Sequence, residues 1–324
     1  MLSPSLTIAG DLAIRIGILT THLTDEEDRL VESGTKKGHE VVPLEVKRFG
    51  ISMCPDDPKI YYEGKRIQDE YDAIIPRIDL PHTEFGFMVL RQFQALDVYT
   101  TDTAYSLELC RDKLRCMQYL MRKNVPFPTT GSAYSRKDYD KVIKTVGGAP
   151  LIIKLNEGTE GVGVFLAEDE KAAKNFLGTF KQFGVRVMLQ EFVKESSGKD
   201  VRAVVIGGKI IGAIERASQD GDFRANVALG AQSRAVELTD EEKDVVLRAT
   251  EAMGLNMAGV DLMRSKNGPL IIEVNSAQDF TGPHLAEAIF NIDLAGMMID
   301  YAVEGKKRFD KGEGVWLEPK VLSS

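Results

Sequence analysis

Cysteine is scarce in this chain, with only Cys54, Cys110 and Cys116 among its 324 residues. Their spacing matches neither a metal site nor the framework of a small disulfide-bonded domain. We expect Cys110 and Cys116 to be small buried hydrophobic residues, as free cysteines usually are. A chain without structural disulfides fits a reducing compartment, so we expect a cytoplasmic protein.

Long apolar runs and an excess of positive charge are missing as well. No segment approaches the roughly 18 apolar residues of a membrane-spanning helix, and the N-terminus shows no signal-peptide pattern. Lysine and arginine number 41 against 49 acidic residues, a formal net charge of −8. That balance argues against a general nucleic-acid binder, which would carry a basic patch. It leaves room for a basic protein or tail as a partner, and we expect no membrane partner.

Two common nucleotide-binding signatures are also absent. No G-x-G-x-x-G follows the first predicted strand, which argues against a dinucleotide-dependent dehydrogenase, and no G-K-[ST] marks a Walker loop. The chain has no internal repeat and no low-complexity segment. It does have 43% hydrophobic and 28% charged residues, which is the composition of an ordinary globular protein. At this length we expect two or three domains.

Apolar periodicity predicts a β-α-β opening and hence a parallel sheet. A strand at 13–20, a helix at 25–37 and a strand at 40–44 are followed by a strand that ends near Pro76. We assign residues 1–104 to a Rossmann-like domain and residues 105–193 and 194–324 to two further units. The later predicted helices cover 106–123, 171–183, 239–253 and 285–303, and the later predicted strands cover 149–155, 161–166, 186–193, 201–206, 209–216, 258–264 and 269–275.

The segment from Val260 to Asn275 is the most informative part of the chain. Apolar runs flank a Ser-Lys-Asn-Gly-Pro turn signal, which predicts a hairpin. With the turn centred on Asn267, Asp261 lies opposite Glu273, and Asn275 points to the same face as Glu273. Opposed carboxylates repel each other, and two carboxylates with an amide oxygen suit Mg²⁺. The alternative interpretation is an exposed hairpin with ordinary surface acids.

A glycine-rich segment at 157–163 joins two predicted strands. Its glycines Gly158, Gly161 and Gly163 allow backbone N–H groups to fold over an anion. Lys154 lies three residues before the segment, inside an apolar strand, where a lysine is costly to bury unless it meets an anion. We therefore interpret Lys154 and the loop as a phosphate-binding unit. The alternative is a flexible hairpin tip.

Further polar residues occur near the ends of the other predicted strands. Asp200 and Arg202 alternate onto one face of a strand, either as a salt bridge or with the arginine directed at a phosphoryl group. Arg216, Arg224 and Asn226 add two cations and an amide, although polar loops are most often simply solvated. The strand that ends at Glu191 and Phe192 offers backbone groups that could bind the edge of a base.

Taken together, these residues resemble the ATP-grasp superfamily and, within it, the RimK-type ligases. Those enzymes add glutamate to the C-terminus of a small-subunit ribosomal protein. The resemblance runs from about residue 14 to 303. Its most specific pieces are IPRI (75–78), LRQF (90–93), RDKLR (111–115), GGAPL (147–151), EGT (157–159), IER (214–216), GDFR (221–224) and AGVD (258–261).

The resemblance implies an ATP-grasp fold of mixed α/β and α+β class, in which a Rossmann-like N-terminal domain precedes two lobes that clamp ATP. It also implies roles for the residues singled out above. Lys113, Lys154 and Asp200 would contact ATP, Glu191 and Phe192 the adenine, and residues 224–226 the phosphate or acceptor side. Mg²⁺, or Mn²⁺ in its place, would be held by Asp261, Glu273 and Asn275.

The implied reaction is ATP-dependent amide formation through an acylphosphate, with Arg202, Arg216 and Arg224 as cationic forks for carboxylates. We expect glutamate and a protein or peptide acceptor as substrates, and a homo-oligomer. The sequence departs from the family after Asn275, where Ser-Ala-Gln-Asp-Phe-Thr-Gly replaces the family's Ala-Ser-Pro-Gly-Leu-Glu-Gly. This departure leaves open another amino acid or acceptor, such as a carrier protein or a small amine. A regulatory ATP-binding module without turnover is a further alternative.

Overall fold

The structure is a computed structural model that describes residues 13–158, 161–219, 221–225 and 231–316. The chain forms two compact units. The first comprises the residues up to Thr101 together with Ala295–Glu313, and the second is built mainly from Asp102–Leu294. The predicted division of the second part into lobes at 105–193 and 194–324 stays a prediction.

Short strands alternate with helices along the whole chain, as the predicted mixed class requires. The strands are β1 (Arg15–Thr20), β2 (Glu40–Glu45), β3 (Phe49–Ser52), β4 (Lys59–Tyr62), β5 (Lys65–Arg66), β6 (Ala73–Arg77), β7 (Tyr99–Thr100), β8 (Thr130–Gly131), β9 (Leu151–Leu155), β10 (Val164–Ala167), β11 (Val187–Glu191), β12 (Lys199–Ile206), β13 (Lys209–Ala217), β14 (Gln232–Val236), β15 (Met257–Ser265) and β16 (Gly268–Asn275). The helices are α1 (Asp25–Lys36), α2 (Thr83–Ala95), α3 (Ala104–Arg111), α4 (Lys113–Arg122), α5 (Tyr139–Thr145), α6 (Glu170–Gln182), α7 (Asp240–Met253), α8 (Ala286–Phe290) and α9 (Leu294–Asp310).

The first unit contains a parallel sheet in the order β2-β1-β6-β7. This confirms the predicted β-α-β opening. Helix α1 begins where predicted because Thr24 and Glu27 form a capping box, and acidic residues fill its first turn. The sequence did not reveal the small antiparallel sheet β3-β4-β5, whose strands are only two to four residues long.

Two predicted long helices are each divided in two. The helix expected at 106–123 breaks at Asp112, whose carboxylate accepts a hydrogen bond from the N–H of Arg115 and so caps α4. The helix expected at 285–303 breaks after Phe290 because Asn291 adopts a left-handed conformation with φ of 52°. Most of α9 belongs to the first unit, which the sequence did not predict.

Two sheets build the second unit. The first has the order β10-β9-β11-β8 and shares a hydrophobic core with α5 and α6. The second is antiparallel, in the order β14-β13-β12-β15-β16, and α7 packs against β15 and β16. Among the helices in the described residues, none is long and apolar enough to cross a membrane.

Candidate active site

The five-stranded sheet carries five of the predicted site residues on one face. Its register pairs Arg202 of β12 with Asp261 of β15, and Asp261 with Glu273 of β16. Asp200 pairs with Arg216 of β13 in the adjacent row. Because alternate residues of a strand point to the same face, these five side chains form a continuous charged strip across four strands.

The pairing of Asp261 with Glu273 was predicted correctly, although the turn and the register beside it differ from the prediction. The hairpin turn is tighter than a turn centred on Asn267, because Ser265 pairs directly with Gly268. A bulge at Ile272 then shifts the register, so that Leu262 pairs with Ile271 while Asp261 still pairs with Glu273. A bulge re-aims the side chains beside it, and here it returns Glu273 to the face of Asp261.

Asp261 lies at the centre of a buried ion-pair network. Arg202 donates from Nε and from an Nη to the two oxygens of Asp261, both at 2.7 Å. Arg216 lies 3.1 Å from Asp261 and also donates twice to Asp200, at 2.7 Å each. The Arg216 side chain is only 3% exposed. The geometry therefore lets Arg216 act through Asp261 and Asp200, whereas Arg202 lies nearer the surface.

The two arginines decide the charge state of Asp261. Burial alone would raise the pKa of this carboxyl group, but Arg202 and Arg216 outweigh that effect and lower the pKa to about 2. Asp261 is thus ionised throughout the physiological range. Pairing with hydrogen-bonded partners also offsets part of the desolvation cost that an isolated buried carboxylate would carry there.

Glu273 has a lysine as its partner. Nζ of Lys113 lies 2.9 Å from Oε1 of Glu273 and donates to the carbonyl oxygen of Gly158 at 2.7 Å. Burial opposes ionisation of Glu273, but Lys113 keeps the pKa of Glu273 below its ordinary value. Lys113 therefore connects the β15–β16 hairpin to the glycine-rich loop.

Lys154 is the second lysine of the site, on β9 in the sheet β10-β9-β11-β8. It pairs in register with Val164 of β10 and Met188 of β11. Burial lowers the pKa of Lys154 to about 8, although the negative charge of Glu273 acts in the opposite direction. With Lys113, Arg202 and Arg216, the site holds one more basic group than the three carboxylates of Asp200, Asp261 and Glu273 can neutralise. A polyanionic ligand fits this imbalance.

The donor set fits a hard divalent cation that shares its coordination with a ligand. Asn275 lies two residues beyond Glu273 on the same strand, and its amide nitrogen lies 3.4 Å from Asp261. Within the described residues, no three His, Cys, Asp or Glu side chains form a metal-binding group. Mg²⁺ is typically held by one or two carboxylates together with substrate phosphates. The ammonium of Lys113 at Glu273 shows that positive charge is accommodated at this position.

The glycine-rich loop is anchored through Asn156, the residue directly before it. The backbone N–H of Lys113 donates to the carbonyl of Asn156 at 3.1 Å, and the N–H of Leu114 donates to the Asn156 side chain at 3.0 Å. Gly161 and Gly163 both have φ near 75°, at 75° and 77°, which favours glycine. Asn156 was not singled out in the sequence, although a polar residue at the end of an apolar strand was a usable signal.

Arg224 connects this loop to a second one. Its guanidinium is held by Asp222, with one contact at 2.7 Å, and an Nη donates to the carbonyl of Gly161 at 3.4 Å. Arg224 is about one third exposed, at 31%, so it is accessible to a ligand in a way that Arg216 is not. Asn226, predicted to contact the nucleotide, lies outside the described residues, as do the loop residues Thr159 and Glu160.

The predicted base-binding residues lie at the end of β11. The backbone N–H of Glu191 donates to Thr129 at 2.9 Å, and its side chain accepts from the N–H of Thr129 at 3.2 Å. Phe192 follows directly and is partly buried. The N–H of Glu191 is thus already paired, and contact of this segment with the edge of a base stays a prediction.

Gln278 lies beside the candidate site, although it was not among the predicted site residues. It lies in the segment that departs from the family, and its side chain rests on the backbone of Gly259. A Cβ atom at Gly259 would collide with Oε1 of Gln278 and lie 2.9 Å from its Cδ. Since Gly259 pairs with Asn275, the amide of Gln278 lies beside the proposed metal ligands. Phe280, only 1% exposed, anchors the segment.

Comparison with known families matches nearly the whole chain. The model described as "RimK PreATP-grasp domain" matches residues 14–107, and the model described as "RimK-like ATP-grasp domain" matches residues 110–302. The second match contains every predicted catalytic, nucleotide and metal residue.

Individual relatives agree with these matches. A probable alpha-L-glutamate ligase of Coxiella burnetii (strain RSA 493 / Nine Mile phase I) is 40% identical over 295 residues, which are 91% of this chain and 97% of the relative. A probable alpha-L-glutamate ligase 1 of Hahella chejuensis is 42% identical over 283 residues, 87% and 92% of the two chains. Among solved structures, the ATP-grasp ligase PsnB with minimal precursor, Mg and ADP superposes with a TM-score of 0.68. It is 19% identical and covers 90% of this chain and 98% of PsnB, which shows a shared fold.

Proposed function

This chain belongs to the RimK-like ATP-grasp family, and from that premise we propose that it is an ATP- and Mg²⁺-dependent alpha-L-glutamate ligase. In this proposal it forms an amide bond between glutamate and the C-terminal carboxylate of a protein or peptide. The observation that carries the proposal is the opposed pair Asp261 and Glu273, surrounded by Lys113, Lys154 and Arg202. Relatives named as probable alpha-L-glutamate ligases support the choice of amino acid.

The proposed reaction has two steps. A carboxylate oxygen of the acceptor attacks the γ-phosphorus of ATP, ADP departs, and the acceptor becomes an acylphosphate. The amine of glutamate then attacks the acyl carbon, phosphate departs, and the nitrogen loses a proton as the amide forms. A bound Mg²⁺ would neutralise charge on the phosphate oxygens. The protein's contribution is mainly positioning and charge neutralisation.

Each basic side chain has a place in this scheme. Lys154 and Lys113 bind phosphate oxygens, since both lie near the acids that would hold the cation. Arg202, oriented by Asp261, faces the charge that develops on the transferred phosphoryl group. Arg224, which joins the two loops at Gly161, binds the acceptor side. Closure of these loops would exclude water, which otherwise hydrolyses an acylphosphate.

Substrate choice is the part of the proposal in which this chain departs from its family. Ala277, Gln278 and Asp279 stand where the family has Ser-Pro-Gly, and the Gln278 side chain lies against Gly259, which pairs with Asn275. A different acceptor is therefore the second candidate within the same chemistry. The predicted cytoplasmic location and homo-oligomeric state belong to the same proposal.

The experiment is incubation with ATP, Mg²⁺ and glutamate, with and without a peptide that ends in a free carboxylate, followed by mass measurement. We expect one or more glutamate residues on the peptide and release of ADP. The matched reaction contains the same peptide with an amidated C-terminus, which should stay unmodified. Glutamate homopolymer without acceptor would instead indicate a polymerising ligase, and ADP release only with another amino acid would replace glutamate in the proposal.

A further inference from the structure

Lys113 places its ammonium group at Glu273, one of the acids proposed to hold the metal ion. Its ammonium lies 2.9 Å from Oε1 of Glu273 and 2.7 Å from the carbonyl oxygen of Gly158. The Lys113 side chain is 13% exposed and that of Glu273 is 31% exposed. One ammonium group thus neutralises an acid of the hairpin and also holds the glycine-rich loop.

The backbone of Lys113 is fixed, so only its side chain can respond to a ligand. Lys113 is the first residue of α4, and the carboxylate of Asp112 caps that helix. The N–H groups of Lys113 and Leu114 both donate to Asn156, at the start of the loop. A change in what the ammonium contacts is therefore a rotation of one side chain about a fixed point.

We propose that Lys113 is the resident counter-ion of the metal site and exchanges its partners when the metal and nucleotide bind. Without a ligand it holds Glu273 and the Gly158 carbonyl. A divalent cation at Glu273 displaces the ammonium, because it would take the oxygen that the ammonium occupies and the two positive charges repel each other at contact distance. The ammonium then binds the phosphates that arrive with the cation and releases the carbonyl oxygen of Gly158. This inference rests on the proposed function only for the identity of the cation and nucleotide.

The exchange involves the partner of Glu273 and not the buried partner of Asp261. Arg216 is almost fully buried and is also held by Asp200, so it stays in place when a cation arrives at Asp261. Arg202 holds both oxygens of Asp261 through two hydrogen bonds. Among the contacts of the described residues, Lys113 has one contact with one carboxylate, so it is the cation that is displaced most easily. It follows that the cation and the nucleotide bind cooperatively, since the cation alone displaces Lys113 without giving it a new anion.

Binding of Mn²⁺ as a probe, measured from the electron paramagnetic resonance signal of the free ion, tests this exchange without any ligase assay. In the wild-type protein we expect weak Mn²⁺ binding alone and much tighter binding with ADP. In Lys113→Met, Mn²⁺ alone should bind about tenfold tighter than in the wild type, because the competing ammonium is gone. The enhancement by ADP should be largely lost in that variant, because the phosphates lose a partner.

Two further variants serve as controls. Lys171→Met removes an exposed lysine of α6 and should leave both Mn²⁺ affinities unchanged, while Lys113→Arg keeps the charge and should keep binding of Mn²⁺ alone weak. Equal Mn²⁺ affinity of wild type and Lys113→Met without nucleotide would overturn the proposal. These assays contain no glutamate and no acceptor. A negative result would therefore contradict the exchange of Lys113 without contradicting the proposed ligase function, and absence of ligase activity would not by itself contradict the exchange.

Hydrogen exchange provides a second measurement if Lys113→Met is poorly folded. Glu273→Gln breaks the same pair from the other side, so the peptide that covers residues 156–163 should exchange faster in it than in the wild type. Peptides from α7 should exchange at the same rate in both proteins, which controls for global unfolding. Unchanged exchange at 156–163 would mean that Lys113 does not hold the loop.

Discussion

Asp261 and Glu273 face each other across the hairpin, but their surroundings differ. Asp261 neutralises two arginines in a nearly closed network, whereas Glu273 has one partly exposed lysine as its ion-pair partner among the described residues. The sequence treats the two acids as equivalent metal ligands. In the structure, Asp261 is also the shared ion-pair partner of Arg202 and Arg216.

This difference predicts different effects of neutralising the two acids. Glu273→Gln should abolish amide formation and leave the free energy of unfolding nearly unchanged. Asp261→Asn should also abolish amide formation but cost about 3 to 5 kcal/mol of stability, because it leaves buried guanidinium charge unpaired. Urea unfolding of both variants, alongside ADP release, provides the measurement. Equal stabilities of the two variants would contradict the buried network.

Lys154 predicts a pH dependence of nucleotide binding. With a pKa of about 8, its ammonium is charged below that pH and neutral above it, so binding of a polyanion should weaken as pH rises. We expect ADP affinity to fall above pH 8 by at most roughly tenfold per pH unit. Lys154→Arg should flatten the profile because arginine stays charged, and Lys171→Met should behave as the wild type. A flat wild-type profile between pH 7 and 9.5, a range of roughly two units around that pKa, would exclude Lys154 as a phosphate ligand.

Gln278 predicts an effect on one substrate only. Gln278→Ala should raise KM for the acceptor or for glutamate and leave KM for ATP unchanged. The Gln278 side chain lies against Gly259, which pairs with Asn275, and it belongs to the segment that departs from the family. Gly259→Ala should have the same effect, since the new Cβ would displace the Gln278 side chain. Gln182→Ala, at an exposed position of α6, is the matched control. A rise in KM for ATP in either variant would assign Gln278 to the nucleotide instead.

At the scale of elements, the sequence predicted where several strands and helices lie better than where a long helix is interrupted. Strands β12, β13, β15 and β16 lie within one or two residues of their predicted limits because alternation and a clear turn signal define them. The break at Asp112 was hidden, since apolar residues keep helical spacing on both sides of it. Sequence patterns describe the buried face of a helix, whereas a cap depends on one local hydrogen bond.

The bulge at Ile272 shows a second limit of sequence reasoning. A turn centred on Asn267 and a tighter turn followed by a bulge give the same partner for Asp261. The sequence cannot distinguish them, because both preserve the face on which Glu273 lies. The prediction of the acid pair therefore succeeded although its local geometry differs.

The cap at Asp112 predicts a specific change in nucleotide affinity. Asp112→Ala should cost about 1 kcal/mol of stability, as loss of a helix N-cap usually does, and should weaken ADP binding because α4 presents Lys113. Thr239→Ala removes the comparable cap of α7 and should cost similar stability without a change in ADP affinity. Chemical unfolding and ADP titration of both variants compare the two effects. Equal loss of ADP affinity in both would mean that Asp112 acts only through global stability.

At the scale of the whole molecule, resemblance to a family predicted the fold and function better than apolar periodicity did. The family assignment inferred from short motifs is confirmed by matches over residues 14–107 and 110–302. The ion-pair partners of the site were not predictable, because they depend on which strands become neighbours. Arg216 illustrates this, since nothing in its local sequence indicates that it would be buried between Asp200 and Asp261.

The central claim is that a carboxylate of the acceptor is activated as an acylphosphate, and isotope transfer tests it most directly. A peptide acceptor whose C-terminal carboxylate carries ¹⁸O is incubated with ATP, Mg²⁺ and glutamate. The isotopic composition of the released phosphate is then measured by mass spectrometry. One carboxylate oxygen leaves with the phosphate in this mechanism, so the account predicts inorganic phosphate that carries one ¹⁸O, together with ADP. Amide formation with unlabelled phosphate, or with the label in AMP, would contradict it.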